Sequence, residues 1–392
     1  MSKTKGNVLD PLDIIQRFGT DATRFTLAAM AAPSTDIAFS ESRTGGYRNF
    51  ANKIWNAARF MFMNVDRVGA GLMRETEESR KVAEVVARLD RRAANLEDRW
   101  ILSRFNGVTR DVNDALETYR FHEAANRIYD FFWGDFCDWY IEIIKPRLAP
   151  EADLETANTA CRNLVSMFDA SLRLLHPLMP FITEEIWQAI YDGKPPVQSI
   201  ALAAFPQCDV SKIDESAETE MGVVKRITTA IRDGRARLKI QPKLRVDVEL
   251  YMGDKGREIL RENRSSIERL ANVSLQLLST PPVTFSKIET SPVREGPGQP
   301  KNCVTGAEAY DNLASYSMRF LYEAQIDIAT ETKRLRKELS KIELDLSNAG
   351  RQLGNEDFLA KAPANVIEGL RKRTQELAAL REKTKSELDQ LK

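Results

Sequence analysis

The sequence predicts a mainly α protein, with a loop-and-helix element, a helical bundle, a small α/β unit and a C-terminal antiparallel coiled coil in that order. Three observations predict it. From about Ser40 to Phe205 apolar residues recur every three or four positions, the period of helices that bury one face. An alternating run, Leu244–Tyr251, has the period of a strand. From about Ile326 the composition shifts to Leu, Lys, Arg and Glu, with apolar residues alternating by four and three as in a coiled-coil seam.

Composition narrows the classes of function. The 392 residues, 43% hydrophobic, are enough for roughly two to four domains with real cores. No stretch is apolar enough to span a membrane, and the N-terminus has no secretion-type apolar region. Cys137, Cys161, Cys208 and Cys303 have no metal-ligand spacing, so a reduced, cytoplasmic setting and no protein-bound metal are expected. The formal net charge of +0 means that any nucleic-acid binding must come from local patches. The two histidines, His122 and His176, lie far apart in apolar contexts and read as core or capping residues. Asp135, Asp138 and Glu142 on one helix face, and Glu184 and Glu185 in a first turn, read as surface and dipole partners.

The first element, residues 1–37, opens with Lys3 and Lys5 flanking Thr4 ahead of Gly6-Asn7. Two ammonium groups beside a backbone free to turn suit ATP phosphates, and equally a solvated turn. Asp10-Pro11 marks a helix entry, after which Leu12, Ile15, Phe18, Ala22 and Phe25 fall at helical spacing.

The bundle, 38–210, begins with a helix whose inward face is Tyr47, Phe50, Ile54, Ala58, Met61 and Val65. Another face aligns Asn49, Asn52, Asn56 and Arg59, joined by Lys53 and bordered by Phe60. Amides and guanidinium groups read the edges of unstacked bases, and a ring can stack beneath one; the same stripe could instead form hydrogen bonds between helices. The dense segment YDFFWGDFCDWYIEIIKPRL reads as core at helical spacing, ended by Pro146.

The α/β unit, 211–325, pairs a helix over Glu218–Lys239 with the strand Leu244–Tyr251. Helix and turn carry Lys225, Arg226, Arg232, Arg235, Arg237, Lys239, Lys243 and Arg245, a run that either follows an RNA backbone or is a solvated face. Residues 280–306 are rich in Pro and Gly and read as long turns. In the last element, 326–392, one seam is Leu335, Leu339, Ile342, Leu346, Ala349 and Leu353. A second is Ile367, Leu370, Leu377, Leu380, Thr384, Leu388 and Leu391, so a helical hairpin follows. By itself such a hairpin serves protein association or extends a fold.

The string MSKTKGNVLDPLDIIQRFGTDATRFTLA resembles the KMSKS segment of class I aminoacyl-tRNA synthetases, lacking only the leading lysine. RTGGYRNFANKIWNAARF resembles the opening helix of the anticodon-binding bundle in the valyl members. Phe136–Lys145 (FCDWY-x-E-x-x-K) and His176–Trp187 (HPLMPFITEEIW) resemble further bundle segments, and LSNAGRQLGNEDFLAKAPANVIEGLRKRTQEL resembles the terminal coiled coil of the same branch. The resemblance implies an ATP loop in which Lys3, with Lys5, neutralises charge as pyrophosphate leaves, ATP being accompanied by magnesium. It implies that Arg43 and Phe60 lie near anticodon bases and that the coiled coil holds the tRNA corner; the density of the basic run itself predicts that Arg232, Arg235, Arg237 and Lys239 contact phosphates. The implied partner is tRNA(Val), bound by a monomer. The implied reaction, valine activation and transfer, needs a nucleotide-binding domain with a HIGH-type sequence and an editing domain, absent from these residues. A catalytic half supplied in cis or in trans is one expectation; a free-standing tRNA-binding or assembly protein is the other.

Overall fold

Helix α1 (Pro11–Phe18) starts as its sequence requires. Asp10 accepts a hydrogen bond from the Leu12 amide at 2.9 Å, and Pro11 occupies the first turn, where an N–H would have no helical partner. The helix does not run through to Phe25. Gly19 takes φ +93°, accessible to glycine without a Cβ penalty, and α2 (Thr20–Met30) begins after it. The break changes the inward set: Ile14, Ala22 and Phe25 are buried, whereas Leu12 is exposed and Ile15 and Phe18 are half-buried.

The computed structural model describes residues 10–32, 39–73, 95–280, 303–304, 316–321, 328–354 and 364–389. Its contacts divide the described chain into one unit holding everything up to the last strand and a second holding the two C-terminal helices. In the first unit, α3 (Glu41–Met73) leads to α4 (Leu96–Glu117), and α5 (Phe121–Tyr129) continues without a break through a π-helical segment, Asp130–Tyr140, into α6 (Ile141–Ile144). Helices α7 (Leu154–Leu175), α8 (Pro180–Ile190) and α9 (Glu215–Arg237) follow.

The core confirms the inward face of α3: Phe50, Ile54, Ala58, Met61 and Val65 are buried. Phe25, Phe50 and Phe132 continue this core around Tyr47 and Tyr129, with neighbouring ring centres 4.7–6.4 Å apart. The aromatic-rich segment is core as expected, but its winding is π. Its buried residues Phe132, Phe136, Tyr140 and Ile144 recur every four positions, a spacing that a wider turn keeps on one side. Within this interior, Asp98 accepts from the Tyr140 hydroxyl at 2.8 Å and from Arg147 at 2.7 Å, so the buried carboxylate is paired.

The α/β part is a four-stranded sheet in the order β2 (Val273–Leu278), β1 (Val246–Met252), β4 (Tyr316–Leu321), β3 (Cys303–Val304). Strands β1 and β2 are parallel, linked through α10 (Asp254–Glu262) and α11 (Arg264–Ala271); β4 is antiparallel to β1, placing Val248 opposite Phe320. The predicted strand thus starts two residues later than its alternation suggested, at Val246. Helix α9 packs closely here: a Cβ on Gly234 would lie 2.5 Å from the Phe320 ring, so a side chain larger than hydrogen would force them apart.

The second unit is a pair of helices, α12 (Ile328–Leu353) and α13 (Ala364–Asp389), in contact with each other. Each 26-residue helix is about 39 Å long and ten residues connect them, too few to return along a helix, so the pair is an antiparallel hairpin. Leu335, Ile342 and Ala349 are buried at heptad spacing, as predicted. The second seam holds at Leu370, Leu377, Thr384 and Leu388 and is corrected at one described position, Leu380. Leu380 is 42% exposed, and Leu370, Thr374, Leu377, Arg381, Thr384 and Leu388 form the covered row, with Thr384 3% exposed. Residues 355–363 of the resembling string, like most of the Pro/Gly-rich 280–306 stretch, lie outside the described residues.

Candidate nucleic-acid interface

Helix α3 presents Asn49, Asn52, Asn56 and Arg59 as exposed residues on the side opposite its core face, while Arg43, also exposed, lies in the first turn in line with the core residue Phe50. The interhelical-network reading of the asparagines therefore does not hold for this fold; the amides face outward. Lys53 differs. Its Nζ lies 2.6 Å from Asp138 Oδ1 and 5.3 Å from the centre of the Trp133 ring. Partial burial works against its charge, but the Asp138 hydrogen bond and field outweigh that and raise its pKa. Phe60 is half-buried at the same edge, with Lys145 Nζ 5.9 Å from its ring centre and Glu142 holding that lysine at 2.6 Å.

The π-helical segment positions this edge. Trp133 stacks on Tyr129 at 5.6 Å and meets Phe50, so its free side lies beside Lys53. Asp138 reaches α3, while Asp135 reaches the other way, accepting from Arg104 at 3.1 Å and Lys225 at 2.7 Å. Asp135 and Asp138 are thus ion-pair anchors between elements, a role their helical spacing did not disclose, while Glu142 pairs with Lys145 three residues on, the surface role expected of it. Glu184 is a loop clamp, accepting from the Ser199 hydroxyl at 2.6 Å and the Ile200 amide at 3.2 Å. His176 caps α7, and its Nδ1 lies 2.7 Å from the Thr183 hydroxyl.

The basic run divides. Arg235 is a correction: it is only 7% exposed, and its guanidinium donates to the carbonyls of Asn272, Gln241, Pro242 and Leu244 at 2.9–3.3 Å. It fastens the turn after α9 to the sheet and is not presented to a phosphate. Its pKa is lowered by burial. Arg232 is exposed but donates to Leu270 O at 3.2 Å and lies 5.4 Å from the Trp139 ring centre. Arg226, Arg237, Lys239 and Lys243 are exposed, and Lys239 adopts φ +52° in the turn. Lys3 and Lys5 lie outside the described residues. Among the described residues, no group of three or more His, Cys, Asp or Glu is placed to hold a metal ion, and no helix is long and apolar enough to cross a membrane.

Three family descriptions match in chain order: tRNA synthetases class I (I, L, M and V) over residues 1–40, the anticodon-binding domain of tRNA ligase over 98–250, and the valyl tRNA synthetase tRNA binding arm over 327–392. The chain belongs to the class I aminoacyl-tRNA synthetases. Within that class it corresponds to the C-terminal portion of the valyl-tRNA synthetases. It is 36% identical to a valine–tRNA ligase of Solibacter usitatus over 95% of this chain and 37% of that protein. It is 37% identical to that of Symbiobacterium thermophilum over 98% and 40%, and 38% identical to that of Syntrophotalea carbinolica over 98% and 38%. The chain therefore spans about two fifths of the length of these relatives.

Proposed function

We propose that this chain is the tRNA-binding portion of a valine–tRNA ligase, and that α3 and the exposed end of the α9 run contact tRNA(Val). The observation that carries the reading is the outward amide and guanidinium stripe of α3, bordered by Phe60 and set in a chain with anticodon-domain and tRNA-arm matches. Hydrogen-bonding groups beside a ring are what unstacked bases require. In the complete reaction valine and ATP form valyl-adenylate, and valine then passes to the tRNA terminal ribose. Lys3 and Lys5 are the ATP-loop residues in this reading, magnesium accompanies the nucleotide, and the setting is the cytoplasm with the protein as a monomer. The activity expected of these residues alone is tRNA binding, with ligation requiring a class I nucleotide-binding domain.

An anisotropy titration with valine tRNA, an anticodon-mutated copy and an unrelated tRNA at two salt concentrations tests this. Preferential, anticodon-dependent binding is expected. Equal, weak binding of all three would overturn specific recognition by these residues.

A further inference from the structure

Trp55 stands apart from the other four tryptophans. Trp100 and Trp139 hold the Lys225 ammonium, Trp133 stacks on Tyr129 beneath Lys53, and Trp187 donates to Asp169 and meets Tyr191. The Trp55 indole is 46% exposed and, among the described residues, has no ring, cation or hydrogen-bond partner. Single exposed apolar residues are common and alone imply nothing. The surroundings of this one are specific.

At 100° per residue, Asn52, Asn56 and Arg59 fall between Trp55 and Phe60, so the exposed face of α3 has a ring at each margin and hydrogen-bonding groups between. Arg48 and Arg59 are exposed on this face, and from Ser42 to Val65 the helix has no Asp or Glu, while Lys53 beside it is paired with Asp138. A face of that kind is complementary to a polyanion whose units carry flat apolar rings, and an acidic peptide would leave the indole without a partner. An RNA loop fits both features.

We infer that Trp55 is a second base-stacking platform, so that a single-stranded RNA segment crosses α3 from Phe60 to Trp55 with the asparagines and Arg59 reading the edges between. This rests on the proposed tRNA reading and adds a contact to it. Phe60 and Trp55 then engage different nucleotides of one loop, and the amides between them set which bases are accepted.

The test is intrinsic fluorescence and affinity of the full chain with a valine tRNA anticodon-arm oligonucleotide. RNA is expected to quench the wild-type emission and shield it from acrylamide. Trp55→Phe is expected to remove most of that change while keeping affinity within a few-fold, and Trp55→Ala to weaken binding about 5- to 100-fold, the range for one lost base–aromatic stack. Phe181→Ala, at an exposed ring on α8, is expected to bind as wild type. If the wild-type chain binds and Phe60→Ala weakens it while Trp55→Ala matches Phe181→Ala, the Trp55 contact is overturned and the tRNA reading stands. If the wild-type chain binds no RNA, the tRNA reading fails and this inference with it.

Discussion

Lys225 Nζ lies 2.7 Å from Asp135 Oδ1, and 5.0 and 5.4 Å from the ring centres of Trp100 and Trp139. Asp135 also accepts from Arg104, so one carboxylate on the π-helical segment ties α4 and α9 together. A residue from the densest basic stretch of the sequence is therefore spent on holding the bundle to the α/β part. Arg232 lies over Trp139 in the same joint and Arg235 is engaged within the α/β part, leaving Arg226, Arg237, Lys239 and Lys243 as exposed cations.

Asp135→Ala removes the acid and leaves two partly covered cations facing each other. It is expected to destabilise the first unit by about 1–3 kcal/mol in urea unfolding followed by tryptophan fluorescence. A loss below about 0.5 kcal/mol, the worth of an exposed pair, would mean that the joint is held by apolar contacts alone.

Arg235 and its neighbours separate stability from binding. Arg235→Ala strands several carbonyls and is expected to cost about 1–3 kcal/mol of stability. Charge reversal at Arg237 and Lys239 is expected to leave the melting temperature nearly unchanged while weakening binding to many tRNAs and flattening its salt dependence. An unchanged salt slope would mean that these two side chains face solvent only.

Phe60→Ala is expected to weaken valine tRNA binding by about 1–3 kcal/mol, the effect of losing one stacked base. Lys53→Met tests a different role, because Asp138 already neutralises that ammonium. It is expected to release Asp138 and lower stability more than it lowers the salt slope. A large loss of salt dependence in Lys53→Met would instead make Lys53 a phosphate contact.

In the coiled coil, Ile342→Ala is expected to lower amide-exchange protection across α12 and α13 by about 2 kcal/mol, as for a truncated core residue. Thr384→Val is expected to raise it, because the buried hydroxyl only returns a bond to its own helix at Leu380 O. Leu380→Ala is expected to change it little. A large effect at Leu380 would restore the register first read from the sequence.

Burial lowers the His176 pKa below its ordinary 6.5. The folded state thus resists protonation, so the contribution of this residue to stability is complete above about 6.5 and falls away as pH drops through the lower folded value. His176→Gln is expected to flatten the stability loss between neutral and mildly acid pH, read from urea midpoints. Glu97, raised by burial and by Asp98, acts with the opposite sign, and comparing wild type with the variant cancels its effect.

Local chemistry was legible where cause and effect are close in the chain. Asp10-Pro11 fixed a helix start, the period of α3 gave its core face, and Leu335, Ile342 and Ala349 gave the first seam. The break at Gly19 was signalled by the glycine followed by Thr20-Asp21, but the apolar spacing ran on past it. Arg235 was illegible because its acceptors, as far off as Asn272, are carbonyls that any residue supplies. The second coiled-coil seam held at Leu370, Leu377, Thr384 and Leu388 and missed at Leu380. Leu380 and Arg381 fit the alternation equally well, hydrophobicity favoured the leucine, and the fold covers the long arginine stem instead. The α3 interface was half legible: the stripe was visible, while Trp133, Asp138 and Lys145 became its neighbours only through tertiary packing.

The most direct test of a tRNA anticodon interface on α3 is hydroxyl-radical footprinting of valine tRNA bound to the full chain, repeated with Phe60→Ala. Protection of the anticodon loop that falls in the variant is the predicted result. An anticodon loop as reactive as in free tRNA, at protein concentrations that protect other parts of the molecule, would contradict it.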